Sequence, residues 1–400
     1  MYKIYFRDID KYKKEDIIFL DCSKYFIKNF KFLESLPNLQ ILYISCNKNS
    51  NIEKIKLPKT ITEFVCDNCD IRSFKFITNL PNLKKLNISV NFNSDIEKCK
   101  LPESIIELIC EYCFIKDYSF INNLPNLQIL NISNNFEPIE YINIQNLIDF
   151  NASNCIINNF SFLENSKLQK LNLCGVCITN KLSKHKLPNT IIKLNCNRCD
   201  VIDFSFIESL INLETLFIKY NVNSNISSCK LPNSIKYIDC EECLITDFTF
   251  LEPLHNLIKL SISYNMNSNI NIINLPKFIQ EFTCKKCNIN DFSFLLSLSN
   301  LLILNISCND VLKCILPNSI KSLKCYCCNI KDFSFLSPLK KLKYLDICNN
   351  PNSNITRDMI PSYVNFICKR NDVKEFNFNG INVNFKEYIY FSSDECDFSD

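Results

Sequence analysis

The feature that most constrains this chain is a short apolar phrase that returns, in two alternating forms, mostly every 22 residues. Leu39, Leu42, Ile44 and Asn47 spell L-x-x-L-x-I-x-x-N, and the phrase recurs at residues 83–91, 127–135, 213–221, 257–265, 301–309 and 342–350. A second phrase lies between these copies. Ile61, Phe64, Cys66 and Cys69 introduce it, and it recurs at 105–113, 147–155, 191–199, 235–243, 279–287 and 320–328. Worn copies stand at Ile17–Tyr25 and Tyr363–Asn371. A fixed period over most of a chain points to a stack of identical units rather than to separate globular domains.

The spacing inside the phrase specifies the unit. Residues two apart, such as Leu42 and Ile44, share one face of a strand. A strand this short cannot bury that face alone. Copies stacked every ~4.8 Å build one parallel sheet over a shared core. After the second phrase comes I-x-D-F-S-F-[LI], as at Ile202–Ile207, Ile245–Leu251 and Ile289–Leu295. Its two phenylalanines are expected to enter the core from the opposite side. Ser161/Glu164, Ser205/Glu208 and Thr249/Glu252 have the spacing of a capping box, which places a short helical or 3-10 turn there. The other return, N-x-N-S-[ND]-I then L-P-x-[ST]-I, reads as irregular.

These residues resemble the leucine-rich-repeat superfamily. The Asp-Phe-Ser-Phe-Leu unit is similar to the 22-residue class of phosphatase-regulating repeat proteins. The Asn91–Ile105 unit is similar to FNIP repeats of slime moulds and giant viruses. Their alternation resembles the leucine-rich-repeat gene family of insect poxviruses. The resemblance implies a leucine-rich-repeat solenoid: a curved parallel β-sheet on the concave side, with short 3-10 or helical turns and irregular loops on the convex side. It implies a binding scaffold and brings no catalytic residues with it.

The expected organisation is an N-terminal cap at 1–16, an array of about 17 repeats at 17–384, a degenerate terminal repeat at 385–393 and an acidic tail at 394–400. A hairpin around Asn379-Gly380 competes with the terminal repeat. Three intervals are irregular: Leu127 to Leu147, the stretch around Leu168 to Leu187, and Leu301 to Ile320. In the second, Val176 stands where asparagine is expected and Gly175 precedes it, so a local change of geometry is expected.

The formal charge of +3 gives no reason to expect nucleic acid or a membrane surface as partner. The charged first 16 residues carry no signal-peptide core, and no apolar run reaches 18 residues, so an intracellular, cytoplasmic location is expected. The 25 cysteines are then expected as thiols. C-x-x-C recurs at Cys66/Cys69, Cys110/Cys113, Cys196/Cys199, Cys240/Cys243, Cys284/Cys287 and Cys325/Cys328. That spacing suggests zinc elsewhere. Here the first cysteine takes the inward strand position and the second takes the asparagine position, so both read as core thiols. The asparagines read as a buried ladder satisfied by backbone groups, with cysteines alternating.

Catalysis finds little foothold. The two histidines, His185 and His255, have no nucleophilic partner in the repeat register, and two glycines cannot build a phosphate loop. No cofactor or metal is expected, and the chain reads as a non-enzyme. Charges at the third repeat position (Glu63, Lys85, Glu107; Lys259, Glu281) read as cross-strand pairs. The candidate partner-binding residues are Phe217, Tyr220, Tyr237 and Tyr264, with Lys193, Arg198, Lys219, Asp239, Glu241 and Glu242 around them. Exposed aromatics ringed by charge have the make-up of a protein-binding hot spot. The leading expectation is a scaffold binding a protein partner through its concave face, as a viral protein acting on host factors. The alternative is a substrate-recognition adaptor for a separate enzyme.

Overall fold

In the computed structural model each repeat contributes one three-residue strand. The structure describes residues 3–356 apart from 93, 144 and 352, residues 359–360 and 364–365, and the backbone of 366–368 and 383–385. The chain divides into two compact units, 1–234 and 235–400.

In the first unit the strands Phe19–Asp21, Ile41–Tyr43, Glu63–Val65, Lys85–Asn87, Glu107–Ile109, Ile129–Asn131, Asp149–Asn151, Lys170–Asn172, Lys193–Asn195 and Thr215–Phe217 pair in sequence order, all parallel. Register keeps equivalent positions opposite, as in Leu42↔Phe64↔Leu86. In the second unit the same pairing runs from Tyr237–Asp239 through Lys259–Ser261, Glu281–Thr283, Ile303–Asn305, Ser322–Lys324, Tyr344–Asp346 and Asn365–Cys368 to Val383–Phe385. The inward residues Leu42, Ile44, Leu86, Ile88, Leu216 and Ile218 are buried, and Tyr43, Asn87 and Phe217 beside them stay partly exposed.

The returns carry 3-10 turns rather than α-helices, as at Ser205–Ser209 and Ser293–Ser297. The first phenylalanine of D-F-S-F is fully buried at Phe204, Phe248, Phe292 and Phe333. The second lies against it, with ring centroids 5.8 Å apart for Phe204 and Phe206. The capping box is not formed. Phe160, Phe204 and Phe248 occupy the N-cap and make no side-chain cap bond. The residue before each phenylalanine closes the turn instead: Asp203 Oδ1 accepts from Ser205 N–H at 3.0 Å and Asp247 Oδ1 from Thr249 N–H at 3.0 Å. Glu208 and Glu252 reach the next repeat and accept the N–H groups of Lys230 and Asn274. A period of 22 makes that neighbour available at every unit, so inter-repeat bonds outcompete the local cap.

Irregular intervals have a structural consequence. Between Leu127 and Leu147 the interval shortens to 20 residues, and between Leu301 and Ile320 to 19. Among the described residues no 3-10 turn forms in either return. The shortened chain runs straight and pairs with its neighbour: Pro138–Ile139 with Ile156–Ile157 in parallel, and Lys313 with Asp291. At the third irregularity Gly175 has φ +72 and the following return turns at Thr179, with φ +47, before a 3-10 turn at Leu182–Lys184.

The segment before the array adds a strand of its own. Ile4–Tyr5 pairs in parallel with Leu20–Asp21, Lys3 Nζ binds Asp21 at 2.7 Å, and Phe6 packs on Tyr25 and Phe32. At the other end Val383–Phe385 lies parallel to Phe366–Cys368, 17 residues on rather than 22. Residues 386–400, with most of the expected terminal repeat and the acidic tail, and residues 369–382, with the expected hairpin turn, lie outside the described residues.

Candidate functional site

Every repeat turns the same corner at the end of its strand, and that corner fixes the candidate site. The last strand residue is followed by an inward residue, a linker, a residue in the left-handed region and the ladder position. The left-handed residues include Cys46, Asn68, Val90, Tyr112, Asn134, Arg198, Tyr220, Glu242, Tyr264, Lys286, Cys308, Cys327 and Asn349, with φ between 52 and 63. A residue with a Cβ loses roughly 1 kcal/mol or more in this conformation. Backbone pairing offsets the cost: Asn68 N–H binds Ser89 O at 2.9 Å and Val90 N–H binds Glu111 O at 2.8 Å. The sheet's hydrogen bonding therefore continues through the corner.

Behind the corner lies the ladder. Asn91 is fully buried. Its amide donates to the carbonyls of Cys66 (3.0 Å) and Ile88 (2.7 Å) and accepts from Ile71 N–H (2.9 Å). In the alternate repeats the cysteine thiol donates to the equivalent inward carbonyl: Cys113 to Ile88 at 3.3 Å and Cys287 to Ile262 at 3.3 Å. Burial pushes the thiols of Cys69, Cys113 and Cys287 up to about 12, which keeps the proton that makes the bond. The inward cysteines, Cys66 and Cys110 among them, are fully buried, and burial raises their thiols well above the ordinary value. Cys66, Cys110, Cys240 and Cys284 also direct their thiols at carbonyls, those of Asn87, Asn131, Ser261 and Asn305.

In the first unit, Lys193 and Phe217 project from adjacent strands, with Lys193 Nζ 5.3 Å from the ring centroid. Arg198 and Tyr220 occupy successive left-handed corners, and the guanidinium carbon lies 4.5 Å from the tyrosine ring centre. Lys219 N–H donates to Asn197 Oδ1 at 2.7 Å. This unit therefore brings together Lys193 with Phe217 and Arg198 with Tyr220.

In the second unit Tyr237 has Lys259 Nζ over its ring at 5.0 Å, and the same ammonium pairs with Glu281 at 2.8 Å. Tyr264, at a left-handed corner, has Lys285 and Lys286 within 5.5 and 5.4 Å. Glu242 occupies the preceding corner. Glu241 accepts a bond from the Ser261 hydroxyl. Asp239 departs from expectation: it is 4 % exposed, and its carboxylate faces Tyr237 Oη and Glu241 N–H. It is a supporting residue rather than a surface one.

Three further observations complete the inventory. Lys85 pairs with Glu107 at 3.1 Å as the cross-strand pattern suggests, while Glu63 accepts from Tyr43 Oη at 2.6 Å. His185 Nδ1 lies 2.8 Å from Glu164 Oε1, and His255 is an exposed turn residue. Sequence reasoning missed an aromatic row at the position after the ladder in the first unit. Phe92, Phe114 and Phe136 are exposed and pack ring on tilted ring, with centroids 5.3 and 6.1 Å apart, and Tyr112 lies 6.3 Å from Phe136. The signal was present, since the three phenylalanines stand 22 residues apart. No helix among the described residues is long and apolar enough to cross a membrane.

No protein-family model matches the chain, and no curated protein matches it. Solved structures do. The chain is similar to an internalin from Listeria monocytogenes at 19 % identity and a TM-score of 0.49, over 83 % of this chain and 88 % of that one. It is also similar to a leucine-rich-repeat protein of Leptospira interrogans, at 18 % identity and a TM-score of 0.61, over 91 % of this chain and 100 % of that one. The fold of this chain is the leucine-rich-repeat fold, with one short parallel strand per repeat and 3-10 turns on the returns.

Proposed function

We propose that this chain is a non-enzymatic scaffold that binds a protein partner through the open face of its sheet. The observation that carries the reading is the set of cation-over-ring pairs on that face, with Lys193–Phe217 and Arg198–Tyr220 in the first unit and Lys259–Tyr237 and Lys285–Tyr264 in the second. Aromatic and arginine side chains dominate the energetics of protein interfaces. Holding them on short strands and fixed corners lowers the ordering cost of binding. The poxvirus-like alternation of repeat types supports a viral protein whose partner is a host factor.

The candidate residues form two sets, one per unit: Lys193, Arg198, Phe217, Lys219 and Tyr220, and Tyr237, Glu241, Glu242 and Tyr264, with the buried Asp239 supporting Tyr237. The exposed row Phe92, Phe114 and Phe136 supports a wider footprint on the first unit, because soluble surfaces seldom leave packed aromatics uncovered. The adaptor reading differs only in what the partner's neighbour does and shares the same surface.

Quantitative capture from cells in which the chain is expressed tests the proposal. Wild type is compared with Phe217→Ala/Tyr220→Ala, with Tyr237→Ala/Tyr264→Ala, and with Lys340→Ala/Lys341→Ala on the returns as control. Partners retained by wild type and the control, and lost at least tenfold with a face variant, support the reading. Equal retention by all four sinks it.

A further inference from the structure

Most described cysteines of this chain are buried behind the sheet, but one pair stands at the corner in front of the ladder. Cys308 and Cys327 occupy the left-handed position of consecutive repeats, with φ 59 and 55. Asn305 is paired with Lys324, so three residues further on Cys308 stands opposite Cys327. The bonds Ile306 N–H to Lys324 O and Cys308 N–H to Tyr326 O, both 2.9 Å, carry the register to that point. Both side chains are partly exposed. Matching φ and register set the two side chains side by side, and the Cys308 thiol donates to the Cys327 sulfur.

The adjoining Cys327 sulfur and burial hold the proton on Cys308, and two groups act against them. Asn349 Nδ2 donates to Cys327 Sγ at 3.2 Å. Lys285, from the corner of the repeat preceding Cys308, acts on Cys308 as the nearby cation. Its ammonium lies within 5.5 Å of both the Tyr264 and the Tyr326 ring centres. The C-x-x-C thiol next to the pair does not compete, because Cys328 Sγ is committed to Ile306 O at 3.3 Å.

We propose that Cys308 and Cys327 form a two-thiolate site for a soft monovalent cation of the copper(I) class. Soft thiolates select such ions. Parallel neighbours hold their side chains at a strand spacing of ~4.8 Å. A direct disulfide requires Cβ atoms about 3.5–4.5 Å apart. A linear sulfur–metal–sulfur bridge requires sulfurs about twice a metal–thiolate bond of ~2.3 Å apart, close to that strand spacing. Binding replaces two S–H protons: two thiols and one copper(I) ion give a singly negative dithiolate complex and two released protons. Lys285 and the Asn349 amide stabilise that net negative charge. No third histidine, cysteine or carboxylate converges there among the described residues, consistent with two-coordinate geometry.

The test uses the full chain, reduced and chelator-washed under anaerobic conditions, titrated with copper(I) against a chromogenic bicinchoninate competitor. The expected result is one copper equivalent withdrawn by wild type and by Cys177→Ser, an exposed thiol elsewhere, and lost in both Cys308→Ser and Cys327→Ser. Lys285→Met should keep the stoichiometry and weaken the affinity. X-ray absorption should show two sulfur donors per bound copper. Unchanged urea midpoints of the serine variants establish that they fold. If either variant is destabilised, loss of that equivalent on alkylating Cys308 and Cys327 in otherwise native protein replaces it. Equal copper uptake by wild type and the folded serine variants, or three or more sulfur donors per ion, overturns the proposal.

Discussion

The thiol of Cys113 donates to the carbonyl of Ile88, 25 residues earlier, at 3.3 Å, and the amide of Asn91 donates to the same oxygen at 2.7 Å. One inward carbonyl thus receives a donor from its own repeat and another from the next. The two donors are not equal. Asn91 also serves Cys66 O and Ile71 N–H, whereas the Cys113 thiol makes only weak bonds, to Ile88 O and Glu111 O, and fills space. Asn91→Ala should therefore cost about 3 kcal/mol, since several buried backbone groups lose their partner. Cys113→Ala should cost about 1–2 kcal/mol, mostly as a small cavity. Urea midpoints of the two variants check this, and a cost for Cys113→Ala equal to that of Asn91→Ala would show that the positions are equivalent.

The raised thiols set a pH limit. The ordinary thiol value is 9.0, and burial pushes Cys69, Cys113 and Cys287 up to about 12. Below pH 9 the thiols are protonated in both folded and unfolded chains, so their contribution is fully present. Between about pH 9 and 12 the unfolded chain releases protons that the folded chain keeps, and stability falls. Each such thiol contributes up to about 1.4 kcal/mol per pH unit in that window. Urea midpoints should hold steady up to pH 8 and fall from pH 9 upward. The double variant Cys113→Ala/Cys287→Ala should fall less steeply, and an identical slope would assign alkaline unfolding to other groups.

Among the described residues Gly175 is the one left-handed corner filled by glycine. A Cβ placed there would meet Asn154 Oδ1 at 2.0 Å, and φ is +72. Asn154 is exposed, so its amide can swing aside, and the remaining cost is the left-handed strain of about 1 kcal/mol. Gly175→Ala should lower stability by about that much. Gly175→Asn should cost less, because asparagine tolerates the conformation. A loss above about 3 kcal/mol in Gly175→Ala would mean that Asn154 cannot move.

The sheet was legible because its signal repeats: Leu42 and Ile44, then Phe64 and Cys66, announce inward positions two residues apart, and the period makes them opposite one another. The alternating asparagine–cysteine ladder was legible for the same reason. The 3-10 caps were not. The serine–glutamate spacing satisfies a local rule, yet Glu208 and Glu252 bind the following repeat, a contact that exists only once the units stack. The left-handed corner was invisible because Val90, Tyr220 and Cys308 carry no conformational signature in their residue type. Asp239 was misplaced for a related reason: its alternation says outward, while Tyr237 and the Glu241 backbone cover it.

The central claim is that the open face of the sheet binds a protein. The most direct measurement is hydrogen exchange by mass spectrometry on the chain with and without a captured partner, at peptide resolution. Added protection should fall on peptides spanning 193–198 and 215–220 in the first unit and 237–242 and 259–264 in the second, with the 3-10 returns at 205–209 and 293–297 unchanged. Protection confined to those returns, with the strand and corner peptides exchanging as in the free chain, would contradict it.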